Sequence, residues 1–370
     1  MLRDCLRFAW TGLARGDRLR LVIAVCGATV AIFVVLFHVA MLRAVAHKAT
    51  QVYALFDADV VLVSDRFQFL YRMADFPLAR LRQAQAHPGV AKSAAVRVGN
   101  TAWVKRDTGA QVSLMLIGIE PDPEFVADAE IRAGVASLQI PRRALLDRRS
   151  DPAAGPLQPG ADGLIGSQPA TIAGSYQLGL PMYAAATAIV SNADFSHFTG
   201  ESPALAQLGL LRLRAGADAA KVAAELAAQM PDDVRVLTRE ALMAREAGFF
   251  LEVKPLGIMM RAGLLIGLIV GAVALFQAMS SQIEARMRDF AVLRAMGFDA
   301  AFTYAVGGWQ LFAMGSAAFA FAWLAAVPVF ETVARRSQLF LPLDATLFGV
   351  VAALCAPKLA SAAMPLLRAG

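Results

Sequence analysis

The sequence predicts an integral membrane protein of the α-helical type, with four transmembrane helices and a large α+β extracytoplasmic domain between helices 1 and 2. Three observations predict it. Of the 370 residues, 58% are hydrophobic and only 17% are charged, and the mean hydropathy of +0.54 lies well above that of an ordinary soluble domain. Four predominantly apolar runs are long enough to cross about 30 Å of hydrocarbon. Between the first two runs, roughly 210 residues carry the short strands and amphipathic helices of a domain with its own core.

Residues 1–20 form a basic segment with Arg3, Arg7, Arg15, Arg18 and Arg20. The first transmembrane helix, 21–45, follows. Its uncharged stretch "LVIAVCGATVAIFVVLFHVAML", residues 21–42, is longer than a signal-peptide h-region and leads into "RAVAHKATQ", so it reads as a retained anchor. The second helix spans 256–280, with Arg261 near enough to its start to snorkel. The third, 300–330, occupies an uncharged interval between Asp299 and Glu331 that is longer than one span needs. The fourth, 345–367, is interrupted by Pro357 and Lys358.

Basic residues next to the spans orient the chain. The arginine-rich amino-terminal segment is expected in the cytoplasm, and alternation then assigns the rest. Residues 46–255 fall outside, the loop 281–299 with Arg286, Arg288 and Arg294 inside, the loop 331–344 outside, and the carboxyl terminus inside. The net charge of +6 is therefore mainly a topology signal. No basic stretch interleaved with aromatics suggests nucleic acid. Cys5, Cys26 and Cys355 avoid the outer domain, which excludes a disulfide framework there.

Within the outer segment, residues 58–64, 94–106, 112–120 and 208–216 read as strands. "FPLARLRQAQAHPGV" and "DAAKVAAELAAQMP" read as helices, the second capped by Asp218 and stopped before Pro231. With "DVRVLT" behind it, 208–238 forms a β-α-β unit. The Pro- and Gly-rich stretch 147–163 reads as a loop between two lobes. Residues 239–255, "REALMAREAGFFLEVKP", are helix-forming and run into the second span. They are either a continuous stalk or a short connecting helix, and Pro255 argues for a kink at the join.

In the second span Gly263, Gly267 and Gly271 recur every four residues on one face. Such a face lets helix backbones approach closely, in a homodimer seam or against another span of the same chain. Chemistry-bearing motifs are missing. There is no GxxxxGK[ST] phosphate loop, no HExxH or other ligand spacing among His38, His47, His87 and His197, and no GxSxG. No enzyme activity, metal or cofactor of the chain's own is expected.

The loop "EARMRDFAVLRAMGF", residues 284–298, is oddly apolar for a polar connection. As a helix it gathers Phe290, Val292, Leu293 and Met296 on one arc and turns Arg294 away, with Gly297 placed to end it and Asp299 to cap the next span. Burying four such side chains is worth on the order of 6 to 12 kcal/mol gross, so they need a cover. The lipid interface and a partner's groove are the two candidates.

"RDFAVLRAMGF" closely resembles the coupling segment of the FtsX and MacB type of ABC-transporter permease, where an acidic residue, an aromatic residue or Ile, and then A-x-L-(K/R)-A-(M/L)-G follow the second span. "ALFDADVVLVS", "DFPLARLRQAQAHPGVA", "LLDRRS", "LGLLRLRAGAD" and "DDVRVLTREAL" are similar in kind and order to its DevC type, named for a heterocyst glycolipid exporter. The chain departs from that pattern at its end, "LLRAG", which is shorter than the basic, DPA-containing tail often seen there.

The resemblance implies that Asp289 takes the acidic position, Phe290 the aromatic one, and Ala291, Val292, Leu293, Arg294, Ala295, Met296 and Gly297 the core of a helix that docks in a cytoplasmic ABC ATPase subunit, which alone binds ATP. It further implies a homodimer in the inner membrane with both termini cytoplasmic. A periplasmic adaptor and an outer-membrane channel would complete the assembly, and cargo, lipid or glycolipid among the candidates, would be moved by mechanotransmission. The alternative is an FtsX-like regulatory scaffold that passes ATPase state to a periplasmic partner without transport. A sensory receptor would need a cytoplasmic output module, and none is expected from this sequence.

Overall fold

The computed structural model describes residues 18–155, 158–179, 183–285, 292, 300–337, 341 and 343–362. Among them, contacts divide the chain into a sheet-rich unit, residues 46–252, called the outer unit after the expectation above, and a helical unit made of the rest.

The outer unit is built on a nine-stranded sheet in which one long strand serves two lobes. In chain order the strands are β1 (Val60–Ser64), β2 (Phe76–Pro77), β3 (Val90–Lys105), β4 (Gln111–Ile119), β5 (Arg143–Asp147), β6 (Asp162–Ile165), β7 (Gln168–Tyr176), β8 (Ala186–Ser191), β9 (Leu205–Ala206), β10 (Leu208–Leu213) and β11 (Val234–Thr238). The large sheet runs β11-β1-β10-β3-β4-β8-β5-β7-β6, and β6 also pairs with β3. β2 and β9 form a separate two-stranded sheet. At 16 residues, β3 is long enough to pair with β10 through its first half and with β6 through Trp103, Val104 and Lys105.

That extra pairing closes β3, β4, β8, β5, β7 and β6 into a six-stranded barrel. All six contribute to one buried cluster, which identifies it as the barrel interior. Trp103, Leu116, Leu146, Ile165, Ile172 and Val190 are its larger members, with Ala144, Ala170, Ala186 and Ala188 in the tighter places. Closure leaves these strands with no open edge. Phe195 and Phe198, from a helix at Asn192–Thr199, add to the same cluster. The 147–163 stretch runs between β5 and β6, both barrel strands. It is therefore internal to one lobe, which corrects its reading as a loop between two.

The other lobe is the antiparallel run β11-β1-β10-β3. Because β10 and β11 both run antiparallel to the intervening β1, the expected β-α-β unit is present in its split form, with β1 inserted. Its helix, Ala219–Gln229, is capped by Asp218, whose carboxylate accepts from the N–H groups of Ala220 and Lys221. Helix Leu78–Gln85 contributes Leu81 and Ala84 to the same core as Val222 and Leu226, against Val60, Leu62 and Val236 of the sheet. The opposite sheet face, with Val61, Val63 and Val96, joins a second core that includes Tyr53, Phe67 and Leu242. β1 is buried on both faces, which is why its sequence is an unbroken apolar run rather than an alternation.

The helical unit contains α1 (Arg18–Thr50) up to Val45, α7 (Pro255–Ala285), α8 (Ala300–Ser337) and α9 (Ala345–Ala362), counting the outer unit's helices Leu78–Gln85, Ala129–Gly134, Asn192–Thr199, Ala219–Gln229 and Arg239–Gly248 as α2 to α6. Three of these helices are long and apolar enough to cross a membrane, over Leu21–Thr50, Pro255–Val273 and Gly308–Arg335. α9 is an 18-residue helix at the place of the fourth expected span. At 38 residues, α8 is about 57 Å long, more than one bilayer requires. Its small residues Ala318, Ala322 and Ala326 are fully buried at four-residue spacing, in one cluster with Ile32, Leu36 and Val39 of α1 and Leu347 of α9. Small side chains at this period let membrane helices pack closely.

Candidate functional site

Of the nine positions expected to couple to an ATPase, Asp289, Phe290, Ala291, Leu293, Arg294, Ala295, Met296 and Gly297 lie outside the described residues. Val292 is helical and 57% exposed. What the structure shows in detail is the path from the start of α7 back into the outer unit, together with the helix contacts around it.

The glycine row of α7 lies against α1. A Cβ on Gly263 would run into the His38 ring; one on Gly267 would stand 2.8 Å from a Val34 methyl carbon, and one on Gly271 3.1 Å from the Ala31 Cβ. The numbering falls on one helix as it rises on the other, so the two run antiparallel along this seam. His38 Nδ1 lies 2.8 Å from the Val34 carbonyl oxygen. A carbonyl only accepts, so Nδ1 carries the proton and Nε2 faces the glycine.

At the other end of α1, Arg43 binds Asp344 bidentately, at 2.7 and 2.9 Å. Asp344 also caps α9, accepting the Leu347 N–H at 2.8 Å. Hydrogen bonds from Arg43, then from Leu347 and Thr346, hold the Asp344 carboxyl well below the usual carboxylate range. Planar fork geometry makes this pair specific as well as attractive. Neither residue was singled out by the sequence. An aspartate just before an apolar helix was the available signal for the cap, whereas Arg43 gave none.

Between α6 and α7 the chain is helical almost without interruption. α6 gives way to a π-helical turn at Phe249–Val253, and after a bend at Lys254 α7 begins with Pro255. The segment 239–255 is thus neither one regular helix nor a detached connector. Proline suits the first position of α7, where its missing N–H costs nothing. The π turn adds a residue to the helical repeat and rotates the register of the residues beyond it.

Side chains of the outer unit hold that turn. Phe69 stacks on Phe249 with ring centroids 4.8 Å apart and meets Phe250 edge-on at 5.7 Å. Tyr71 and Tyr183 pack edge to face beside them at 4.9 Å. Three residues before the turn, Glu246 has no solvent exposure. Its Oε1 accepts the Leu70 N–H at 2.8 Å, and its Oε2 accepts the Tyr53 hydroxyl at 3.1 Å. Burial pushes its carboxyl up to about 7, against the opposing effects of Leu70, Tyr53 and Arg245. Burial and the neighbouring Glu246 likewise push the Tyr53 phenol well above its ordinary value, so it remains a donor.

An open, apolar groove of about 710 Å³ lies among the helices of the membrane unit, lined by Ile32 of α1, Phe319, Ala320 and Trp323 of α8, and Phe348 of α9. Ser316 is the one hydroxyl among its described lining residues. Among the described residues no three His, Cys, Asp or Glu side chains come together as a metal site.

No protein-family model and no curated protein matches the chain. Among solved structures it is similar to the periplasmic region of MacB from Actinobacillus actinomycetemcomitans, at 9% identity and a TM-score of 0.37, over 52% of this chain and 93% of that one. It is also similar to the extracellular domain of the noncanonic ABC-type transporter YknZ from Gram-positive bacteria, at 12% identity and a TM-score of 0.34, over 49% of this chain and 98% of that one.

Proposed function

We propose that the chain is the membrane subunit of an ATP-driven ABC exporter of the FtsX and MacB type, working by mechanotransmission. A separate cytoplasmic ATPase takes hold of residues 289–297. Nucleotide-driven movement of that subunit passes along α7, through the π turn at Phe249–Val253 and α6, into the outer unit. The observation that carries this reading is the helical path from Arg239 to Ala285, which ends on the loop whose sequence resembles the family's coupling segment. An element that transmits force needs stiffness along its length and an anchor at its far end. Helical geometry supplies the first on either side of the bend at Lys254, and the Glu246 and Phe69 contacts supply the second.

The remaining assignments rest on the same reading. The protein sits in the inner membrane with four spans and both termini in the cytoplasm, as a homodimer serving a periplasmic adaptor and an outer-membrane channel. In this chain the glycine row is taken up by α1, so a dimer seam would use another face. Lipid or glycolipid cargo suits the apolar groove among α1, α8 and α9, since acyl chains fill such surfaces without unpaired polar groups. The ATPase must bind the two conformations of the coupling loop with different affinity, because only that difference can do work.

The test is capture of the full chain from membranes of its native host. The reading predicts that an ATPase with a phosphate-binding loop comes down with it, and its consistent absence sinks the proposal. Single cysteines near Asp162 and near Arg286 check the sidedness, the first expected to label from outside and the second not.

A further inference from the structure

The Glu246 carboxyl is shut away from water and meets two neutral donors on two different segments, the Leu70 amide and the Tyr53 hydroxyl. A buried carboxylate ordinarily keeps its charge by pairing with a cation. Here Arg245, on the same helix, is the charged group acting on it, and its effect is smaller than that of either donor. The other titratable neighbour is Tyr53 itself, with Tyr71 behind it. The neutral acid fits this site: Oε1 still accepts the Leu70 N–H, and the Oε2 to Tyr53 contact works with the donor on either side.

The consequence lies next door. Leu70 comes directly after Phe69, the ring stacked on Phe249 at the first position of the π turn. The bond from Leu70 to Glu246 therefore fixes the backbone that presents Phe69 to the turn.

We infer that Glu246 is a proton-operated latch: when protonated it holds the Phe69–Leu70 segment against the π turn, and when ionised it loosens that hold, so that pH on the outer side sets how firmly the stalk is fastened. This rests on reading residues 239–285 as the stalk, yet its test needs no ATPase. Burial pushes the carboxyl up to about 7, above the roughly 4.3 of an unfolded glutamate. The latch is therefore complete below about pH 4.3 and is lost as pH rises through about 7.

Hydrogen exchange of the full chain in phospholipid nanodiscs, without nucleotide or ATPase, decides it. Protection of peptides covering 247–255, corrected for intrinsic exchange rates, is tracked from about pH 5.5 to about 8.5. Wild type is expected to lose protection on the order of tenfold with a midpoint near 7, while Glu246→Gln stays close to the low-pH wild-type level throughout. A flat wild-type profile, or a Gln variant that falls in parallel with wild type, overturns the latch. Should the Gln variant fail to fold, Tyr53→Phe serves: losing a donor to the anion must raise the midpoint, and an unmoved midpoint overturns the inference. Failure here leaves ATPase capture intact, so the two ideas fail separately.

Discussion

Tyr53 and Glu246 stand 193 residues apart in sequence and meet through a 3.1 Å hydrogen bond in the interior of the outer unit. Tyr53 lies in the 3-10 turn just after α1, and Glu246 lies just before the π turn that leads to α7. The two ends of the outer unit's chain, one arriving from the first apolar helix and one departing for the second, are thus tied to each other. Tyr53→Phe keeps the ring and deletes the bond, leaving a buried acceptor unsatisfied, at a cost of about 1–3 kcal/mol. Chemical denaturation of the outer unit within the full chain measures it, and an unchanged midpoint would count against the tie.

The α1–α7 seam gives a graded prediction. Gly263→Leu drives a branched side chain into the His38 ring, whereas Gly271→Ala adds one methyl beside Ala31 at 3.1 Å. Overpacking of the first kind costs about 1–3 kcal/mol, and the second needs only a small shift. Thermal unfolding in detergent should rank the two in that order. Equal tolerance of both would mean that the seam is not closely packed.

Asp344 predicts an acid-dependent contribution with a definite sign. Its carboxyl is held below the usual range by Arg43, so the folded state favours the ionised form. The stabilisation is present above the unfolded value of about 3.9 and is lost as pH falls from there toward the lower folded value. The difference in thermal midpoint between wild type and Asp344→Asn should therefore stay constant from about pH 8 to about pH 5 and shrink below about pH 4. A difference that grows on acidification would contradict the pairing.

Much of this architecture is legible in the sequence, and the illegible parts share a cause. The "VVLV" run betrays β1 because a central strand buried on both faces cannot alternate. Asp218 announces its helix because the cap is local. The barrel is not legible: closure depends on Trp103 reaching Ile165 across the chain, and Pro and Gly mark a turn without saying which lobe owns it. Periodicity identifies the glycine face but not its neighbour, the His38, Val34 and Ala31 row of α1. Nothing in the sequence marks Glu246, since it is buried by segments that arrive from residues 53 and 70. For the expected coupling segment, residues 289–297, the sequence remains the guide, and Val292 is the one of its nine positions that the structure describes.

The central claim, that residues 289–297 take force from a separate ATPase, is tested most directly by Leu293→Asp. A charge on the apolar arc of the helix forfeits its burial against a partner groove, while a Gly349→Ala control adds a methyl to α9 that meets no atom within 4 Å. Quantitative co-purification of the full chain with the ATPase subunit should fall at least tenfold for Leu293→Asp, a loss of about 1.4 kcal/mol or more, and stay at the wild-type level for the control. If Leu293→Asp retains the ATPase as wild type does, the loop is not the docking element and the mechanism built on it is wrong.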